Sequence, residues 1–368
     1  MRLPPLLFKQ DCCCQTTHYL YPKGSSPRFL LPKNKAAVQV GLHFFLPYLR
    51  RNKFWIKNVF NFCRKPQCGT FSEEIRDTLT LTTADVELCT MAIGIPGPYQ
   101  KYTVLQLDRQ LIYLTISKIG TNEATYKLLI NEAAKLQWLN EGKRLAEHTP
   151  TLLKKKNKHD LYVIKESVGE GLPVLIKRDY GNICDFLHLL HLESGKQICF
   201  ARSNVFRLLH DRYARLKSLL TIEWQQRAEY YLQQLTRLDS HKFRFVLAHR
   251  DFAEWNMCLT PKGLYVFDWE YAQFEYPPLY DLFHLHLITK AVRGKLHNKY
   301  LYSILHGRHV SNYIDSGYEL PIHYQLVIYL LDLCLFYLES NNGKDEGDIV
   351  VQQYAAMLDL LNKEMRIN

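Results

Sequence analysis

The chain has 368 residues, enough for two or three domains with a sizeable core, and a composition (47% hydrophobic, 23% charged) that excludes a disordered or fibrous protein. Its net charge of +11 is confined to one end: residues 1–70 hold twelve Lys and Arg against one acid, Asp11, whereas residues 71–368 hold 35 of each sign. No apolar run reaches the ~18 residues of a membrane span, no signal-peptide pattern opens the chain, and the ten cysteines lack C-x-x-C pairs, so a cytoplasmic protein with reduced thiols is expected.

Residues 1–84 read as a basic, aromatic N-terminal extension. Pro4, Pro5, Pro22, Pro27, Pro32 and Pro47 rule out one long amphipathic helix, so short strands and turns such as 28–31 and 38–42 are expected. Eleven Phe, Tyr and Trp among the first 70 residues argue against disorder. The simplest role is a folded extension with solvated lysines. Binding of residues 1–70 to an anionic membrane surface or an acidic partner comes second, and nucleic acid is disfavoured because no such motif accompanies the charge. Cys12-Cys13-Cys14 with His18, and Cys63 with Cys68, lack the spacing of a usual zinc site.

Residues 85–166 read as a β-rich lobe. A strand is expected over 86–93, then the loop Gly94-Ile-Pro-Gly97-Pro-Tyr-Gln-Lys101, then a hairpin of 102–107 and 111–117 turned by Asp108-Arg109-Gln110. Glycines between strands let backbone N–H groups approach phosphate oxygens, and Lys101 adds charge, as a nucleotide-covering loop requires. Lys118 follows the third strand. Apolar spacing at Leu128, Leu129, Ala133, Leu136 and Leu139 predicts a helix over 123–140, capped by Thr121 or Asn122 and carrying Glu132. Lys154-Lys155-Lys156-Asn157-Lys158-His159-Asp160 reads as a solvated hairpin tip between strands 151–153 and 161–165, and Glu166-Ser167-Val168-Gly169-Glu170-Gly171 takes the place of a linker.

Residues 167–368 read as mostly helical, with helices over 183–192, 205–220, 223–238, 279–292, 323–339 and 349–364. Set among them are three apolar runs too short for helices, 245–248, 257–259 and 264–267, the last two joined by the turn Pro261-Lys262-Gly263. Asp251 follows the first strand, Asn256 precedes the second and Asp268 ends the third. A tight hairpin brings a carboxylate, an amide oxygen and a second carboxylate together, an oxygen set that suits Mg²⁺. Phosphoryl transfer from ATP needs one carboxylate to take the acceptor's proton and two oxygen ligands for metal. His284 and His286 do not share a helix face, and His297, His306 and His309 are scattered beyond them, so all five read as core or surface residues.

With these residues in place the sequence resembles the aminoglycoside phosphotransferase and choline kinase superfamily, small-molecule kinases whose His-x-Asp-x-x-x-x-Asn motif and following Asp are matched by His249, Asp251, Asn256 and Asp268. The resemblance implies an α+β, two-lobed protein-kinase-like fold. Its β-rich N-lobe would span 85–166 and its mostly helical C-lobe, with the catalytic β-hairpin, 167–368, in addition to the basic extension 1–84. It implies ATP- and Mg²⁺-dependent transfer of the γ-phosphoryl group to a hydroxyl of a small molecule. Asp251 would be the catalytic base, Asn256 and Asp268 the metal ligands, and His249 and Asp281 the supports of the catalytic loop, with Glu270 in a form that also looks like the family's. Lys118, oriented by Glu132, would meet the ATP phosphates under the Gly94 and Gly97 loop, and Glu166 and Val168 would stand where linker backbone reads the adenine edge.

Gly94-Ile-Pro-Gly-Pro and the aromatic, basic N-terminus are also similar to members associated with bacterial cell-surface polysaccharide and lipopolysaccharide pathways. That implies a sugar or glycolipid acceptor; the basic residues 1–70 add a peripheral place at the inner face of the membrane to the cytoplasmic expectation. Two departures stand out: Arg250 replaces a frequent Gly, and Phe252-Ala-Glu-Trp-Asn lacks the frequent His-Pro-Gly. Pro277-Pro278 opens a helix nine residues after Asp268, too soon for the activation segment of protein kinases. The alternative is a catalytically silent scaffold that binds nucleotide or a partner, which the joint presence of Lys118, Asp251, Asn256 and Asp268 disfavours.

Overall fold

The computed structural model describes residues 7–9, 18–21, 28–45, 68–142, 144–158, 160–297, 299–300, 304–305 and 320–367. The chain divides into two compact units, Met1–Pro173 and Val174–Asn368. The first is built on a sheet and the second is mostly helical, which makes the chain α+β.

Among the described residues the first unit holds nine strands in one antiparallel sheet: β1 Phe8–Lys9, β2 His18–Tyr21, β3 Phe29–Pro32, β4 Cys68–Phe71, β5 Cys89–Ile93, β6 Tyr102–Leu107, β7 Tyr113–Gly120, β8 Leu152–Lys158 and β9 Leu161–Glu166. Their order is β1-β4-β2-β3-β5-β6-β7-β9-β8. The extension thus continues the same sheet, its β3 pairing with β5 through Phe29 opposite Ala92. The core joins both parts, with Leu20, Leu30 and Phe71 packed among Met91, Val104, Ile119 and Val163.

Two local expectations are corrected here. Residues 38–42 belong to a helix, Lys35–Phe45, not a strand. Asn34 Oδ1 accepts the N–H groups of Ala36 and Ala37 at 3.0 and 3.1 Å, and this N-terminal cap outweighs the flanking prolines. The lysine run 154–158 lies within β8, an edge strand, rather than at a hairpin tip. Exposed charge on an edge strand blocks pairing with another chain. Cys12, Cys13, Cys14 and Cys63 lie outside the described residues; His18 is buried, with Nε2 3.0 Å from the Cys89 carbonyl.

The second unit is organised around the helix Ile322–Ser340, which packs on the helices Asn204–Leu216, Tyr280–Ala291 and Ile349–Ile367. This corrects the reading that no apolar run is as long as a membrane span: the helix is long and apolar enough, and 67% of its most apolar window is buried inside the protein. Its one deep charge, Asp332, is neutralised in place. Arg250 Nη2 lies 2.6 Å and Arg212 Nη1 2.7 Å from its two oxygens, and Tyr280 donates its hydroxyl at 2.6 Å. Burial alone would raise the Asp332 carboxyl, but the two guanidiniums and the phenol hold it below its ordinary value.

Candidate functional site

In the first unit the geometry converges on Lys118. The sequence places it after a strand, but it lies inside β7, opposite Ile164 of β9. Glu166 lies opposite Ile116 on the same pair of strands, so Lys118 and Glu166 are diagonal neighbours on one face. Their side chains meet at 3.2 Å. The helix Glu123–Asn140 buries Thr125, Leu129, Glu132, Leu136 and Leu139, a stripe at alternating spacings of four and three. Glu132 is the carboxylate in that stripe, and it reaches Lys118 Nζ at 2.5 Å. Asn122 caps this helix with a capping box. One ammonium therefore meets two buried carboxylates, and the Glu166 contact is one that reading its position as linker backbone overlooked. The available signal was the two-residue period of a strand, which puts Glu166 on the face of Ile164.

The loop after β5 is closed by a 2.8 Å bond from Gly94 N–H to the Lys101 carbonyl. A Cβ on Gly94 would sit 2.7 Å from that same oxygen, so this position requires glycine. Gly97 turns the loop at φ +154°. Register places the loop at the end of the sheet where Tyr102 opposes Ile119, one pair beyond Thr103 and Lys118. Val168 packs in a cluster with Ala37, Leu105 and Leu107 of the same unit.

In the second unit the strand Lys242–Ala248 delivers His249, Arg250 and Asp251, and the hairpin Met257–Thr260 with Gly263–Val266 follows. Arg250 is left-handed at φ +68°, a conformation that explains why glycine suits this position and that costs a side chain about 1–2 kcal/mol. Buried Asp281, from the Tyr280–Ala291 helix, holds the turn: its two oxygens accept the N–H groups of His249 at 2.7 Å and Arg250 at 2.9 Å. Burial raises the Asp281 carboxyl despite these bonds and the nearby imidazoles.

His249 is fixed at both ring nitrogens. Nε2 lies 3.0 Å from the Phe267 carbonyl, an acceptor, so it carries the proton; Nδ1 accepts the Asp251 N–H at 3.2 Å. The ring thereby ties the loop that carries Asp251 to the residue before Asp268. Asn256 Nδ2 donates to the Asp251 carbonyl at 2.9 Å and to Asp251 Oδ2 at 2.7 Å. With the amide nitrogen engaged by Asp251, Asn256 Oδ1 is the atom of this side chain that can serve a cation. Phe267 N–H bonds the Asn256 carbonyl at 3.0 Å, which sets Asp268, left-handed at φ +69°, one residue from that pairing. The donor set of an amide oxygen and a carboxylate fits a hard divalent cation such as Mg²⁺.

Asp251 keeps 29% of its side chain exposed among buried supports. Its Oδ1 faces His284 Nε2 at 3.1 Å, a contact that reading His284 as a core or surface residue misses. The available signal was its place three residues after Asp281, on the same helix face. His286 instead meets the Tyr180 ring, at 5.8 Å between centroids, and His306 and His309 lie outside the described residues. Glu270 is buried.

No curated protein matches the chain in sequence. Among solved structures it is similar to an aminoglycoside phosphotransferase of Streptomyces rimosus in complex with ADP and streptomycin, at 17% identity over 63% of this chain and 89% of that one, with a TM-score of 0.43. It is also similar to the ethanolamine kinase of Plasmodium vivax (12% identity, 74% and 82% covered, TM-score 0.46) and to a choline/ethanolamine kinase family protein of Mesorhizobium loti (17%, 69% and 85%, 0.43). The sequence model of the phosphotransferase enzyme family matches residues 115–312, just over half of the chain, from within β7 to beyond the Tyr280–Ala291 helix. The chain belongs to the phosphotransferase enzyme family.

Proposed function

We propose that this phosphotransferase moves the γ-phosphoryl group of ATP to a hydroxyl of a sugar or glycolipid, with Asp251 as the base. The observation that carries the reading is a carboxylate held at the surface by buried partners. Asn256 fixes Oδ2 of Asp251, and Asp281 and His249 fix the loop that bears it. A base so held takes the proton of the acceptor hydroxyl as its oxygen attacks the γ-phosphorus and the bond to ADP breaks. Lys118, aimed by Glu132 and Glu166, places its ammonium on the ATP phosphates, and the Gly94 and Gly97 loop offers backbone N–H groups to them. Val168 and the backbone of Glu166 meet the adenine edge. Asn256 and Asp268 would hold Mg²⁺, which when bound neutralises charge on the β- and γ-phosphates.

Support for the acceptor class comes from Trp255, half exposed immediately before Asn256. An exposed indole offers a flat apolar face to a sugar ring, with its polar edge left to water. The concentration of charge in residues 1–70 supports a peripheral place on an anionic membrane, at its cytoplasmic face, where a glycolipid acceptor resides.

The test is calorimetric binding of ATP with and without Mg²⁺, followed by phosphate transfer to a panel of sugars and lipid-linked sugars. Metal-dependent ATP binding that disappears in Asp268→Ala, and transfer that falls by about 10²–10⁴ in Asp251→Ala while ATP still binds, are expected. Undiminished transfer in the Asp251 variant would sink the mechanism. Transfer only to choline-like or amino-alcohol hydroxyls would overturn the acceptor class and leave the base in place.

A further inference from the structure

The contact between His284 and Asp251 has no part in the assignments above. The Tyr280–Ala291 helix presents Asp281 and His284 on one face, both buried, and both to the same loop. Asp281 holds backbone; His284 meets the carboxylate itself. With His284 Nε2 3.1 Å from Oδ1 and Asn256 Nδ2 2.7 Å from Oδ2, each oxygen of Asp251 has one partner, from two different elements. Each oxygen also retains a second lone-pair direction for a hydroxyl proton.

The ring of His284 is held in turn by two further helices. Tyr329 packs edge-on against it, with centroids 6.0 Å apart and planes at 80°, and its hydroxyl lies 3.5 Å from Nδ1. That hydroxyl is 2.7 Å from the hydroxyl of Tyr354. Burial keeps both phenols protonated, far above their ordinary range. The Asp251 carboxylate only accepts, so the ring nitrogen that faces it, Nε2, carries the proton, and in the neutral ring Nδ1 is the nitrogen that faces the Tyr329 hydroxyl.

We propose that His284 is a positioning residue for Asp251, donating from Nε2 to lock the carboxylate in the rotamer that meets the acceptor hydroxyl. The proposal rests on the reading of Asp251 as the base. Without the donor, Oδ1 is released and the carboxylate turns about its own bond, so near-attack geometry is lost while nucleotide contacts are not. The effect belongs in kcat and not in KM for ATP.

Two measurements on the full chain decide it. In side-chain ¹⁵N-histidine NMR, the His284 resonance, identified by its loss in His284→Gln, is expected as the Nε2–H tautomer, with shifts that move in Asp251→Asn. An Nδ1–H tautomer, or shifts that ignore the Asp251 variant, overturns the proposal whatever the turnover. In parallel, Mg-ATP turnover is measured with water as acceptor. His284→Ala should lower kcat by about 10- to 100-fold with KM for ATP within about twofold. His284→Gln, whose amide nitrogen can donate from the place of Nε2, should recover most of the rate. Unchanged kcat in the Ala variant, or equal loss in Ala and Gln, overturns the positioning role. The NMR result decides the pairing on its own, whatever the rate with water, and the base role of Asp251 is read from transfer to the sugar panel.

Discussion

Glu166 meets Lys118 across two adjacent strands at 3.2 Å, so the ammonium that Glu132 also holds is shared between two buried carboxylates. Lys118→Ala takes away the cation between them, and breaking a buried pair in this way costs about 3–5 kcal/mol. ATP binding should weaken at least about tenfold, as the loss of one charge-assisted contact implies. Adding Glu166→Gln should return part of the stability and none of the affinity. Thermal unfolding and calorimetry on the two variants read these effects separately. A double variant no more stable than the single one would show that Glu166 carries no charge strain.

Arg250 and Asp332 supply a second test. Arg250→Gly suits the left-handed backbone, yet it leaves Asp332 with Arg212 and Tyr280 alone. Loss of the guanidinium should outweigh the relief, for a net cost of about 2–4 kcal/mol in denaturant unfolding. Asp332→Asn in the same chain should cost less than the sum of the single changes by at least about 1 kcal/mol. Additive costs would mean that the two side chains are not coupled.

Asp281→Asn tests the support of the loop. A carboxylate accepts both N–H groups, whereas an amide can present only one oxygen, so one donor is left unmet at about 1–3 kcal/mol. Turnover should fall with ATP affinity retained, because the loop carries the proposed base and not the Lys118 cluster. Wild-type turnover in this variant would remove Asp281 from the support of the site.

Stability should fall on mild acidification. Burial pushes His18 down from 6.5 to about 4, offset in part by its bond to the Cys89 carbonyl. Burial, with Arg244 and His188, pushes His191 down to about 3. Each imidazole binds its proton more readily in the unfolded chain. The contribution to stability is therefore complete above pH 6.5 and is lost as pH falls toward 4 and 3. Between pH 7 and 5 each should cost about 2 kcal/mol, and His18→Gln should remove its share from urea unfolding curves. A flat profile in the wild type would show that His18 and His191 do not stay neutral on folding.

Where local pattern dominates, the sequence is explicit. The helix Glu123–Asn140 is read to its terminal residues because its stripe is regular and its cap is adjacent. The hairpin around Pro261 is read within a residue because short apolar runs flank a strong turn. The Lys35–Phe45 helix is missed because nearby prolines mask a cap formed by one Asn. The side-chain partners of Glu166, His284 and Arg250 are missed for another reason: each is set by register or by helix docking, across 33 residues of chain for His284 and Asp251, 48 for Glu166 and Lys118, and 82 for Arg250 and Asp332. Asp332 also goes unread, although a lone carboxylate in an apolar run must find a counter-charge.

The same carboxylate has a second effect during synthesis. The Ile322–Ser340 segment emerges as a stretch that satisfies the length and apolarity of a bilayer-spanning helix. Before Arg250 and Arg212 are in contact with it, Asp332 is an unpaired charge near the middle of that stretch. An aspartate at the centre of an inserting helix costs about 2.5–3.5 kcal/mol. Asp332 therefore biases the nascent segment away from the insertion route before it becomes the anchor of the helical unit.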